Sequence, residues 1–371
     1  MISVFEPRLS INDKLSVMKT LLNNEISGTS PIVSKFEKAC AEKFDRSYGV
    51  AVSNGSVALD LAFQLIDFSE GDEVIIPSFT IVSCLSAITR SKATPVFCDV
   101  DGKSWNMTLE KVKEKTTSKT KAILMVHLYG LTAEADKISK YCDEKNIILI
   151  EDSAEAHGQQ VNSKKCGSFG LISTMSFYAN KHITTGEGGI ILTDSKEIYE
   201  KANLMRNLGF KSEKRFQHDE FYWNYRMGGL QASLGISQLA SLDSNIQKKI
   251  NQGNYYLEKL DSIKEKIKLP MREHNNVKNH YWVFGVVLKK NGITKEVIES
   301  LDKLGIQTRP FFWPLHLQKA LKNIDLHEQP ELPVSENLGK NGFYIPIGGH
   351  LNKSKQNYIS KSLIRIVNEY Y

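Results

Sequence analysis

Two acidic residues close an apolar run at Ile147-Ile148-Leu149-Ile150-Glu151-Asp152, with Glu155 and His157 close behind. Further on, Lys181 precedes Thr184-Thr185-Gly186-Glu187-Gly188-Gly189. Carboxylates that end a strand sit where open α/β sheets bind ligands, at the carboxyl ends of strands. A lysine following on a later strand, before glycines that admit close backbone approach, brings an amine to the same region. Pyridoxal phosphate chemistry needs such a pair. The lysine forms the Schiff base, and an acid keeps the ring nitrogen protonated so that the ring can act as an electron sink. Lys181 and Asp152 supply these types. Alone, each has an ordinary reading, a solvated surface lysine and a helix-capping aspartate; their co-occurrence with the glycines points to a site. A third segment, Ser53-Asn54-Gly55-Ser56-Val57-Ala58-Leu59, joins a strand end to an apolar helical run. The N–H groups of Gly55 and Ser56 at a helix N-terminus would face an anion, although the same residues also suit an N-cap.

Elements with a definite alternation must position these residues. From about residue 46 to 194, short apolar runs alternate with helix-like segments, the pattern of an α/β layer fold with a mostly parallel sheet. Strands are predicted over 49–52, 73–76, 95–99, 122–127, 147–151, 174–178 and 189–193. Helices fit over 57–66, 81–89 and 133–144. Runs rich in Ile and Val on both faces suit a sheet covered on two sides. A helix from about 230 leads into 241–260, where apolar residues recur at helical spacing. Beyond it, a strand at 281–288, a helix at 295–304, the 309–314 segment and a C-terminal helix make a small α+β unit. The expected division is a large domain over 1–240 and a smaller one over 241–371. The polar stretch 272–279 is the one segment expected to be loose.

Bulk properties exclude several other classes. At 371 residues and 41% hydrophobic composition, the chain can bury a large core and exceeds the size of a comfortable single domain. Its charge of +6, from 48 basic and 42 acidic residues, is spread without the basic block of a nucleic-acid arm. Cys40, Cys84, Cys98, Cys142 and Cys166 stand singly, against a disulfide framework or a zinc site, so no metal is expected. No stretch nears the ~20 apolar residues of a membrane span, and the start lacks a signal pattern, so a cytoplasmic protein is expected.

In these segments, in Asn224-Tyr225-Arg226-Met227 and in Thr308-Arg309-Pro310-Phe311-Phe312-Trp313-Pro314-Leu315-His316, the chain resembles the DegT-type nucleotide-sugar aminotransferases. The resemblance covers essentially the whole length and is nearest to the perosamine- and viosamine-forming branch. It implies an α/β fold-type-I architecture, like that of aspartate aminotransferase, with pyridoxal phosphate as cofactor. By the same resemblance Lys181 is the Schiff-base lysine, Asp152 the partner of the ring nitrogen and Glu155 the neighbour of the phenolic oxygen. Gly55, Ser56 and Ser176 match phosphate-binding positions. Asn224 matches a residue that reaches the phosphate of the neighbouring subunit, which implies a homodimer with shared active sites. Relatives usually stack an aromatic ring where this chain has Ile81, an aliphatic cover that lacks a stacking contribution of order 1 kcal/mol. His182 also stands beside the lysine, whereas a related sugar dehydratase has histidine in place of the lysine.

The expected substrates follow from the same branch: L-glutamate as donor and a nucleotide-linked 4-keto-6-deoxy sugar as acceptor. GDP-perosamine is the first expected product and the dTDP-linked viosamine counterpart the alternative. A pyridoxal phosphate-dependent dehydratase and a non-catalytic cofactor-binding regulator are the rival functions. Tyr281, Trp282, Arg309, Phe312 and His316 are candidate sugar and diphosphate contacts, because aromatic faces pack on sugars and Arg can fork onto phosphates. Ser27 and Thr29 are candidates for a hydroxyl-bearing substrate loop or a simple turn.

Overall fold

The computed structural model describes every residue except Ser212, Lys214 and residues 324–329. Its main sheet is built from β1 (Tyr48–Val52), β2 (Glu73–Pro77), β3 (Thr94–Cys98), β4 (Thr120–Val126), β5 (Ile148–Asp152), β8 (Ile172–Ser176) and β9 (Gly189–Thr193), with the short hairpin β6 (Gln160–Val161) and β7 (Lys164–Lys165) between. The strand order is β1-β9-β8-β5-β4-β2-β3. β9 pairs antiparallel with both β1 and β8, and the pairings from β8 across to β3 are parallel. Each predicted strand overlaps one of these. Alternation then divides the core: Val74, Ile76, Leu124 and Ile150 pack on one face, and Ile75, Ile123, Met125 and Leu149 on the other.

Helices α1 (Ile11–Leu22) and α2 (Pro31–Lys43) precede the sheet, and α3 (Gly55–Gln64) and α4 (Val82–Arg90) follow its first strands. Next come α5 (Leu109–Lys115), α6 (Ala135–Lys145), α7 (Lys196–Arg206), α8 (Gly229–Ala240) and α9 (Leu242–Leu260). The rest of the chain adds β10 (Ile267–Lys268), β13 (Phe284–Leu288), β14 (Arg309–Pro310) and β15 (Gly342–Ile345), with α10 (Thr294–Lys303), α11 (Pro333–Asn341) and α12 (Lys353–Tyr370). These four strands form an antiparallel sheet in the order β10-β13-β15-β14. None of the described helices is long and apolar enough to cross a membrane.

One expectation changes, that of a loose stretch, and two segments bridge the units. α9 serves both units, since Leu242 and Ile246 join a core beside the main sheet while Tyr256 and Leu260 join the smaller unit's core. α9 thus packs on both cores. The N-terminal strap also belongs with the smaller unit: Ile2 bridges Ile306, and Val4 N donates to Gln307 Oε1 at 3.0 Å. The stretch expected to be loose is instead a hairpin, β11 (Glu273–His274) with β12 (Val277–Lys278). Asn275 and Asn276 adopt the positive φ of its turn, at 48° and 62°, which asparagine tolerates better than most residues.

Candidate active site

A cavity of about 550 Å³ opens at the carboxyl ends of the parallel strands. Val126, Asp152 and Ser176, the last residues of β4, β5 and β8, line it together with Gly55 and Thr80 from the segments beyond β1 and β2. The smaller unit closes it with Trp282, Arg309, Phe312 and Tyr344.

Lys181 does not lie on a strand. It sits in the loop after β8, which ends at Ser176, and the Lys181 N–H turns back to the Tyr178 carbonyl at 3.0 Å. Its Nζ lies 3.7 Å from Glu155 Oε1 and 3.8 Å from the Trp282 ring centroid. Burial pushes the amine below its ordinary value, while Glu155 and Asp152 act in the opposite direction. Glu155 is buried too. Burial pushes its carboxyl up against the pull of Lys181, and the Tyr129 N–H donates to its Oε2 at 3.0 Å.

The acidic pair separates by the period of the strand. Asp152 faces the cavity, where the Ala154 N–H donates to Oδ1 at 3.0 Å and the Cys84 thiol to Oδ2 at 3.3 Å. Burial pushes its carboxyl up and these donors oppose that. Glu151 points the other way, into a cage of donors: the N–H groups of Gly167, Phe169 and Gly170, the hydroxyls of Ser153 and Ser173, and His127 Nε2. Despite burial, this cage holds Glu151 down to about 2, with His127 the largest favourable influence. Cys166 lies near His127 and Glu151, but His127 Nδ1 accepts the Ala133 N–H at 3.1 Å, so both imidazole nitrogens are used in hydrogen bonds. This cluster is a brace that ties β5 to the loop before β8.

At the N-terminus of α3, Asn54 caps the helix by accepting the Val57 N–H at 2.9 Å, and Gly55 and Ser56 line the cavity beside it. A Cβ on Gly55 would meet Ser176 Cβ at 2.7 Å, which is why glycine opens the helix there. Ser56 Oγ lies 2.7 Å from Ser83 Oγ, and Ile81, at the start of α4, lines the cavity as an aliphatic cover.

The other candidates divide. Trp282, Arg309 and Phe312 reach the cavity. Tyr281 does not: it is fully buried, packed on Gly253 and stacked with Phe284 in the smaller core. His316 is likewise buried, its Nδ1 2.6 Å from Ser78 Oγ, and it docks its segment on the end of β2. Ser27 and Thr29 hydrogen-bond each other at 3.0 Å, away from the cavity; Thr29 lines a separate depression with Arg206 and Arg226. Asn224 is exposed and outside the cavity of its own chain, its Oδ1 accepting the Arg226 N–H at 3.2 Å. Sequence reading missed Thr80, Tyr178, Asn180 and Tyr344, which line the cavity. Thr80 and Asn180 adjoin motifs already singled out. Tyr344 carries no local signal, since only the β14–β15 pairing sets it opposite Arg309.

These residues fit pyridoxal phosphate. A buried carboxylate ends β5, a nearly buried lysine follows β8, and a helix N-terminus beside serine hydroxyls opens on the cavity, so fold and site define a fold-type-I, pyridoxal phosphate-dependent aminotransferase. Comparisons with known proteins narrow this. The profile of the DegT/DnrJ/EryC1/StrS aminotransferase family matches residues 10–364, and the chain belongs to that family. It is 35% identical to GDP-perosamine synthase of Escherichia coli O157:H7, over 100% of this chain and 98% of the relative. Among solved structures, an aminotransferase from Psychrobacter cryohalolentis superimposes with a TM-score of 0.91 at 27% identity, covering 100% of this chain and 99% of the other. The E. coli GDP-4-keto-6-deoxy-D-mannose-3-dehydratase superimposes with a TM-score of 0.90 at 26% identity, covering 98% and 99%.

Proposed function

We propose that this enzyme transfers an amino group from L-glutamate to C4 of GDP-4-keto-6-deoxy-D-mannose, giving GDP-perosamine, as a homodimer with shared sites. The observation that carries the reading is a juxtaposition. Lys181, Asp152 and Glu155 share one cavity with Arg309, Phe312 and Tyr344, in a chain that a GDP-perosamine synthase matches over its full length.

Pyridoxal phosphate, when bound, supplies the electron sink and carries the amino group between the two substrates. Asp152, oriented by the Ala154 N–H and the Cys84 thiol, offers a carboxylate that stabilises a proton on the ring nitrogen. The N-terminus of α3, with the Ser56 and Ser176 hydroxyls, takes the phosphate. Lys181 gives the covalent anchor and, once free, takes and returns a proton as general base and acid. Glu155, 3.7 Å from Lys181 Nζ, holds the amine in the cavity for that work. The Arg309 guanidinium supplies forked donors suited to a diphosphate, and the Phe312 and Tyr344 rings supply flat faces for a sugar.

Likeness to the dehydratase keeps one rival in view. His182 argues against it: the side chain is buried, and its Nε2 bonds the His280 carbonyl at 3.1 Å, behind the cavity. The test incubates the enzyme with glutamate and a panel of keto-sugar nucleotides and identifies products by NMR. A 4-amino-6-deoxy sugar on GDP is expected. Amination of the dTDP-linked sugar alone would shift the reading to viosamine. Amination only at C3, or a deoxygenated product without nitrogen, would overturn it.

A further inference from the structure

Trp282 reaches the cavity, but its ring meets an amine there. Lys181 Nζ stands 3.8 Å from the ring centroid, and the indole Nε1–H donates to the Asn180 carbonyl at 3.1 Å. One edge of the indole is thus tied to the loop that carries the lysine. The main chain of the same residue is held from α9, where Lys249 Nζ donates to the Trp282 carbonyl at 2.8 Å. Trp282 is buried, with the Tyr129 ring 5.9 Å away, so the indole is fixed from several directions.

We propose that Trp282 is a positioning residue for the catalytic amine, its indole face holding Lys181 Nζ inside the cavity whenever that amine is not bonded to the cofactor. The inference rests on the reading of Lys181 as the cofactor lysine. A free lysine has several rotamers and loses entropy when confined to one, so a preformed resting place keeps it within reach for proton work. A π face attracts an ammonium and does little for a neutral amine, so the contact favours the charged form. Other groups facing Lys181 act beside it. Glu155 and Asp152 favour the charge and burial opposes it. The Cys84 thiol and His157 lie close by. Lys249, pushed down to about 7 by burial and by the charge on Lys181, stands against a second cation.

The test must weaken the π face without opening the cavity to water. A series of increasingly fluorinated tryptophans placed at position 282 does so, because shape and the ring N–H are kept. In cofactor-free protein, acetic anhydride labelling of Lys181, followed across pH by peptide mass spectrometry, reads the protonation midpoint. The midpoint is expected to fall stepwise with fluorination, by roughly three- to tenfold in the protonation equilibrium across the series. A midpoint that stays put across the series overturns the proposal. Borohydride treatment of the cofactor-loaded protein checks the reading beneath it. Cofactor mass on the Lys181 peptide upholds that reading whatever the midpoint does, and its absence there removes reading and proposal together.

Discussion

Glu151 and Asp152 are chemically similar neighbours whose surroundings give them opposite work. Asp152 faces the cavity with a carboxyl that burial pushes up, whereas the donor cage around Glu151 holds it from 4.5 down to about 2. A depressed carboxyl stabilises the fold above its unfolded value and loses that contribution as pH falls toward the folded one. For the fully buried Glu151 the difference is on the order of 3 kcal/mol. Glu151→Gln should therefore cost about that much near pH 7, since an amide cannot accept from every donor in the cage. The gap in denaturation free energy between variant and wild type should narrow as pH is taken from 6 toward 3. A gap that ignores pH would mean that Glu151 acts through packing alone. The acidic pair at the end of an apolar strand was legible in the sequence. The cage was not, because its N–H donors come from Gly167, Phe169 and Gly170, whose approach depends on the loop before β8.

At the scale of elements, the site depends on how closely α3 approaches the end of β8. Gly55 has no room for a side chain, since an added Cβ would sit 2.7 Å from Ser176 Cβ. Gly55→Ala should push the first turn of α3 off β8 and disturb both N–H groups and hydroxyl on the phosphate side. Cofactor affinity, measured by spectrophotometric titration of the cofactor-free protein, should fall at least about tenfold, as expected for the loss of one charge-assisted hydrogen bond. Unchanged affinity would remove α3 from the phosphate side. The Ser53–Leu59 segment marked this junction but suited a plain N-cap equally well, and only its company with Lys181 and Asp152 pointed to an anion. The far wall was legible only in part. Arg309 and Phe312 stood in a recognisable segment, but Tyr344 arrives through the pairing of β15 with β14, and such a long-range partner leaves no local pattern. Tyr281 and His316 misled for a related reason. Aromatic-rich runs such as 280–284 and 311–316 read alike whether their rings face a cavity or a core, and tertiary packing turned Tyr281 and His316 to the core.

For the whole molecule, two surface features support the proposed dimer. Ile11, Leu15, Met18 and Leu22 are 68%, 59%, 54% and 76% exposed along one face of α1, at four- and three-residue spacing. A contiguous apolar stripe of this kind marks an interaction surface more often than free solvent. Asn224 is the second feature, a residue expected to serve a phosphate yet exposed outside its own chain's cavity. A second copy of the chain would account for both, covering α1 and receiving Asn224 at its own site. Leu15→Glu with Met18→Glu should then yield monomers in analytical ultracentrifugation, each with incomplete sites. A sharper test uses two variants that fail for different reasons. Lys181→Ala removes the anchor and the proton shuttle, which alone is worth roughly 10²–10⁴-fold in rate, and Asn224→Asp sets a carboxylate against the neighbour's phosphate. Each homodimer should be nearly inactive. In a hybrid of the two, one cavity keeps Lys181 and receives an intact Asn224 from the partner, while the other cavity carries both faults. Differently tagged subunits, co-expressed and purified as confirmed hybrids, should regain activity approaching about half that of wild type, one site of two. If Asn224 instead served its own cavity, every site in the hybrid would carry one fault, and activity would stay at the level of the homodimers. Confirmed hybrids without activity, or a wild-type chain that sediments as a monomer, would therefore remove the shared site.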